Sequence, residues 1–67
     1  MFIIENRCRT IADDPCTFPF IYNDRTWYEC TDSDWEVPWC ATEVTASRQL
    51  VSGKWDGCAP GCPGVQG

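Results

Sequence analysis

Six cysteines, at positions 8, 16, 30, 40, 58 and 62, crowd into a chain of 67 residues. A chain this short encloses too little interior for apolar burial alone to offset its conformational entropy, so covalent or metal staples are the usual remedy. Cysteines serve either remedy. Zinc sites favour histidine or a C-x-x-C knuckle, and this chain has neither: its histidine count is 0, and its closest cysteines, Cys58 and Cys62, are separated by three residues. The pattern therefore reads as a disulfide scaffold formed in an oxidising compartment, with no metal and no cofactor. Sequence alone allows fifteen pairings of six cysteines, about which spacing is silent.

The remaining composition excludes several functions. Ten acidic side chains face five basic ones, giving a net charge of −5. A nucleic-acid backbone or an anionic membrane surface would be repelled. No apolar run reaches membrane-spanning length. The segment MFIIENRC lacks the basic and apolar regions of a secretion signal. A disulfide protein needs such a signal, so the chain is expected to be a mature product, or a module of a longer precursor with Met1 as an added start. There is no N-x-S/T acceptor for glycosylation. Without histidine, and with its cysteines committed to bridges, the chain has no nucleophile–base pair, and a domain of this size has no deep water-excluding cleft. Enzymatic activity is not expected. Asp32, Asp34 and Glu36 lack the spacing of a calcium loop.

Apolar residues do not recur at helical spacing over three turns, while turn-forming groups punctuate the chain at Asp13-Asp14-Pro15, Asn23-Asp24, Asp32-Ser33-Asp34, Ser52-Gly53, Asp56-Gly57 and Pro60-Gly61. Short β-prone runs lie between them: Phe2-Ile3-Ile4, residues 17–22 broken by Pro19, residues 25–30 and residues 39–45, with 49–52 available to pair back onto the last. The fold class is therefore small, disulfide-rich and mostly β or irregular, with two short antiparallel sheets. The expected layout is a flank or short strand at 1–7, a module at 8–62, and a tail or linker at 63–67.

From Cys16 the chain reads CTFPFIYNDRTWYECTDSDWEVPWCATEV…GKWDGC. The C-x-FPF-x-Y start, the thirteen residues between Cys16 and Cys30, the aromatic two before Cys30, the Trp39-Cys40 pair and the Trp55 three before Cys58 go together. In this combination the chain resembles a fibronectin type II module of the kringle-like superfamily, over roughly residues 16–58. The resemblance implies the pairs Cys16–Cys40 and Cys30–Cys58, and Cys8–Cys62 then follows by exclusion, as in true kringles. It also implies that Phe18, Phe20 and Tyr28 are core or near-core. Three features depart from the family, the first being the outer pair Cys8–Cys62, a kringle-like addition. The seventeen residues between Cys40 and Cys58 make a longer loop than usual, and Ala46 stands where the family carries an aromatic. The extra length, residues 45–51, is expected to protrude as a hairpin or loop.

Nine aromatics, four of them tryptophan, exceed what such a core can use. By resemblance, Tyr22, Trp39 and Trp55 fall where the superfamily lines a shallow pocket, and pocket rings are expected to stay partly exposed. The plainer reading is that they pack on the bridges. Trp27 and Trp35 have no pocket counterpart, although Trp35, in an acid-rich loop, is a candidate contact residue. Asp32-Ser33-Asp34 ahead of Pro38-Trp39-Cys40 is similar to the Asp-x-Asp of lysine-binding kringles, with Lys54 as a basic group opposite. Paired carboxylates favour a cation, and aromatic faces add about 0.5–2 kcal/mol. The same three residues are also ordinary turn sequence. Type II modules bind collagen, gelatin or choline head groups, and kringles bind lysine-like ligands. The expected function is accordingly a secreted, non-catalytic module of a mosaic protein. It would recognise an extracellular protein or peptide, collagen-like or bearing a lysine-like or choline-like cation, through Tyr22, Trp39 and Trp55, with Asp32, Asp34 and Lys54 at the rim. The alternative is a stand-alone toxin-, hormone- or protease-inhibitor-like effector.

Overall fold

The computed structural model describes residues 8–62 and Gly64. The strand expected at Phe2-Ile3-Ile4 lies outside these residues. Four three-residue strands form two antiparallel sheets, and no helix occurs among the described residues. In the first sheet β1 (Phe20–Tyr22) pairs with β2 (Arg25–Trp27), Tyr22 standing opposite Arg25. The two residues between them, Asn23 and Asp24, both have positive φ, at 56° and 63°. That is the conformation a two-residue hairpin turn needs to match strand twist, and Asn and Asp tolerate it best after Gly.

The second sheet pairs β3 (Trp39–Ala41) with β4 (Trp55–Gly57), placing Trp39 opposite Gly57 and Ala41 opposite Trp55. Single bridges widen it: Thr31 pairs with Trp39 on one side, and Thr10 with Cys58 on the other. β3 is shorter than its β-prone run, and β4 lies where no strand is expected from the sequence. The 39–45 run leaves the sheet after Ala41, and its main partner is β4 rather than residues 49–52, which return only through the Val44–Leu50 bridge.

Cysteine supplies the centre of the core. Cys8–Cys62, Cys16–Cys40 and Cys30–Cys58 are bonded, the arrangement the resemblance implies. The bridges stack on one another: the Cys8 sulfur lies 3.2 Å from that of Cys16 and 3.7 Å from that of Cys30. Around this sulfur cluster pack Phe20, Trp39 and Ala41, all buried. In the loop-entropy account, separations of 24, 28 and 54 residues correspond to about 3–4 kcal/mol per bridge, with nested loops giving less than the sum.

Phe20 is fully buried and Phe18 packs against the core, but Tyr28 is 71% exposed, contrary to its expected core position. Strand alternation is the reason. Trp27 stands opposite Phe20 and takes the inward position, so its neighbour Tyr28 faces out.

The longer loop between Cys40 and Cys58 forms a hairpin whose tip, residues 45–49, is exposed as expected. Its base does not stand free. Ile21 donates to the Arg48 carbonyl at 2.7 Å, and Leu50 donates to the Ile21 carbonyl at 3.1 Å, so the returning limb lies along β1. The Arg48 guanidinium adds a 2.7 Å bond to the Phe18 carbonyl.

Candidate functional site

The two sheets meet at Trp39. Its ring lies 5.3 Å from Phe20 and 5.1 Å from Tyr22 on the first sheet, and 5.4 Å from Trp55 on its own sheet. Trp39 and Trp55 share a sheet face because side chains alternate along each strand and the register sets Trp39 against Gly57 and Ala41 against Trp55. Gly57 has no side chain to place beside Trp39, and the vacant position is covered from outside by Trp35: a Cβ at Gly57 would lie 3.3 Å from that ring. Trp35 in turn meets Trp55 edge-on, at 4.8 Å and 87°.

These rings enclose a hollow of about 90 Å³, open to solvent. Tyr22, Trp35, Trp39 and Trp55 line it, Leu50 closes one side, and Ser33 and Asp34 form the polar edge. Its volume is well below the roughly 300 Å³ at which small-molecule sites begin. It suits the end of one side chain rather than a whole ligand.

Trp39 is only 3% exposed, against 37% for Trp55 and 39% for Trp35. A partly exposed Trp39 is thus not what the fold provides: this ring is core and floor at once. The Trp39 indole N–H is satisfied by the Ser33 carbonyl at 3.0 Å, which ties the acidic turn down over the ring.

Asp32-Ser33-Asp34 is a turn, closed by the Trp35 amide donating to the Asp32 carbonyl at 3.1 Å. The Thr31 hydroxyl accepts from the Ser33 amide at 3.1 Å. Asp34 occupies the left-handed region at φ 63°, a conformation tolerated by Asp and Asn. This aims its carboxylate at the hollow, where Oδ2 accepts a 2.7 Å bond from the Tyr22 hydroxyl. The bond, followed by partial burial and the negative charge of Asp34, raises the Tyr22 phenol above its ordinary value of 10.0.

The other two expected rim residues lie elsewhere. Asp32 borders a separate hollow of about 480 Å³ beside Trp27, Glu29 and Pro38. Lys54 is exposed and does not line the aromatic hollow; its backbone is held by bonds to Val51 and Thr42. The turn carries two carboxylates on adjacent corners, and the corner geometry sends them to different faces. Trp35, a candidate contact residue from its acid-rich loop, lines the hollow although it has no pocket counterpart in the superfamily, and Leu50 lines it without any motif to announce it. Leu50 and Val51 are the apolar pair in an otherwise polar insertion, and that contrast is the one sequence signal that points to Leu50.

The fibronectin type II domain model matches residues 16–58, more than half of the chain. The chain belongs to the fibronectin type II family. That family consists of non-catalytic, disulfide-bonded binding modules of extracellular proteins. This type II module is also similar to the human cation-independent mannose-6-phosphate receptor, with 35% identity over 49 residues. The similarity covers 70% of this chain and spans only about 2% of the receptor's length. No solved structure matches the chain. The segment carrying Cys8 and Ile11, and the closing Cys62, lie outside the matched range.

Proposed function

We infer that this type II module is a secreted, non-catalytic recognition unit that binds an extracellular protein or peptide. One protruding side chain of the partner enters the hollow of Tyr22, Trp35, Trp39 and Trp55. One observation carries the reading: three partly exposed rings converge on a buried fourth, beside a carboxylate that points to the same place. A domain using its aromatics only for packing would bury the rings that this one leaves half open. Trp39 is rigid because it is core, which lowers the entropy cost of binding. Asp34 supplies the negative charge at the edge, while Asp32 and Lys54 act at most as distant charges. Membership in a module family favours a place within a mosaic protein over a stand-alone effector. The six bridged cysteines fit folding in an oxidising compartment.

The test is tryptophan fluorescence during titration with an ω-amino acid, phosphocholine and a collagen-type peptide. A response to the amine or choline identifies a cation site, and Asp34→Asn should weaken it in a salt-sensitive way. A response to the peptide alone identifies an apolar anchor, which Asp34→Asn should leave nearly intact. No response to any of the three would falsify the reading of the hollow as a binding site.

A further inference from the structure

Beside the hollow, the chain carries an apolar ridge that runs from Trp35 and Trp55 to Ile11, a residue outside the family match. Ile11 is 70% exposed and sits on the hairpin between Cys8 and Cys16. That hairpin is fastened to β4: the Ile11 amide donates to the Gly57 carbonyl at 2.9 Å, Thr10 bridges Cys58, and Cys8–Cys62 closes the base. A Cβ placed on Gly57 would lie 3.3 Å from the Trp35 ring and 3.8 Å from Ile11 Cδ1. Ile11 and Trp35 therefore lie side by side over the same glycine. Trp35 continues edge-on into Trp55, and Trp55 into the hollow. A single exposed isoleucine needs no explanation, but a contiguous apolar strip leading out of an aromatic hollow does.

We propose that this strip extends the site, and that its occupant is an extended peptide segment with apolar side chains on alternate residues, flanked by basic residues. The proposal rests on the hollow being the binding site and adds the ridge to it. Geometry sets the spacing. The ring centroids of Trp39, Trp55 and Trp35 are linked by steps of 5.4 and 4.8 Å, and Ile11 lies beside Trp35 over Gly57. An extended chain advances about 3.3 Å per residue and presents every second side chain to the same face. Residue i of the partner enters the hollow, i+2 lies on Trp35, and i+4 reaches Ile11. Charge sets the flanks. Asp34 and Glu36 border Trp35 in the chain, and Asp13 and Asp14 follow Ile11. Among the described residues only Asp13 has a cationic partner, Arg9 at 3.8 Å. The Trp35 and Ile11 end of the strip thus carries uncompensated negative charge at Asp14, Asp34 and Glu36, complementary to lysine or arginine, while Lys54 adjoins only Trp55 in the chain.

The experiment uses short synthetic peptides with lysines at both ends and leucine at i, at i and i+2, or at i, i+2 and i+4. They are titrated into the wild-type module, Ile11→Ser and Trp55→Ala, with tryptophan fluorescence as the readout. Ile11→Ser should weaken the three-leucine peptide by about five- to tenfold and leave the two shorter patterns unchanged. Replacing the i+4 leucine with serine should cost the wild type the same factor and cost Ile11→Ser nothing further. This second comparison reads the same contact without altering the protein. If Ile11→Ser binds all three peptides as the wild type does, the ridge is overturned. The hollow then still stands, provided Trp55→Ala has lost them all. If neither substitution alters binding, or no peptide binds, both ridge and hollow are overturned.

Discussion

The Tyr22 hydroxyl donates a 2.7 Å hydrogen bond to the Asp34 carboxylate, joining the first sheet to the turn that leads into the second. The bond fixes the edge of the hollow and makes the phenol a reporter of it. Tyr22 is held above its ordinary value of 10.0, first by this bond, then by burial and by the charge of Asp34. A group whose folded value is raised contributes stability that is fully present below the unfolded value and is lost as pH rises through the folded one. The contact is therefore intact at neutral pH and is lost in strong alkali. Tyrosinate absorbance on a Tyr28→Phe background, which leaves Tyr22 as the sole tyrosine, should show titration above 10.0. Asp34→Asn should bring it down, since Asn keeps the left-handed backbone but removes the charge. An unchanged titration would show that the bond does not form in solution.

Trp39 and Trp55 should separate stability from binding. Trp39 is buried among Phe20, Tyr22 and Trp55, so Trp39→Ala should cost about 3–5 kcal/mol, seen as a large drop in melting temperature. Trp55 is more than one-third exposed, and Trp55→Ala should melt close to the wild type. Its effect belongs to binding, where loss of an anchoring ring removes on the order of 2 kcal/mol or more. A Trp55→Ala protein that melts early and binds normally would reverse these roles.

The outer bridge is open to a direct test. Replacing Cys8 and Cys62 together by alanine removes a closure of 54 residues and should lower stability by up to about 4 kcal/mol. Cys16–Cys40 and Cys30–Cys58 should remain, as non-reducing peptide mapping would reveal. Denaturant midpoints equal to the wild type's would mean that the 8–16 hairpin is held by its β4 contacts alone.

Thr10 is a buried polar residue whose hydroxyl accepts from the Ala12 amide at 3.2 Å and the Asp14 amide at 3.1 Å. Valine preserves the shape and leaves both amides without this acceptor. Thr10→Val should cost about 1–3 kcal/mol, while Thr10→Ser should retain most of the stability. Equal melting of the two variants would show that the hydroxyl is dispensable.

Cysteine density and the absence of histidine dictate a cross-linked scaffold whatever the details of packing, because a chain of this size has few other sources of stability. The Asn23-Asp24 reversal and the lack of helical periodicity are likewise legible locally, since turn conformation and side-chain period are properties of a few neighbouring residues. The pairing of the cysteines was not local, and neither was the composition of the hollow. Tyr28 and Trp27 are adjacent aromatics of equal promise, and only the register against Phe20 decides which one turns inward. Asp32 and Asp34 differ by two positions and face different hollows, because Asp34 adopts φ 63° at the corner. Leu50 reaches the site through a long loop that folds back along β1, and Trp35 by covering the space left at Gly57. The sequence by itself therefore determined the kind of molecule: covalently stapled, β or irregular without helical periodicity, acidic and aromatic. The tertiary structure alone decided which rings and which carboxylate share one hollow, because that depends on contacts between segments far apart in the chain, which no local pattern encodes.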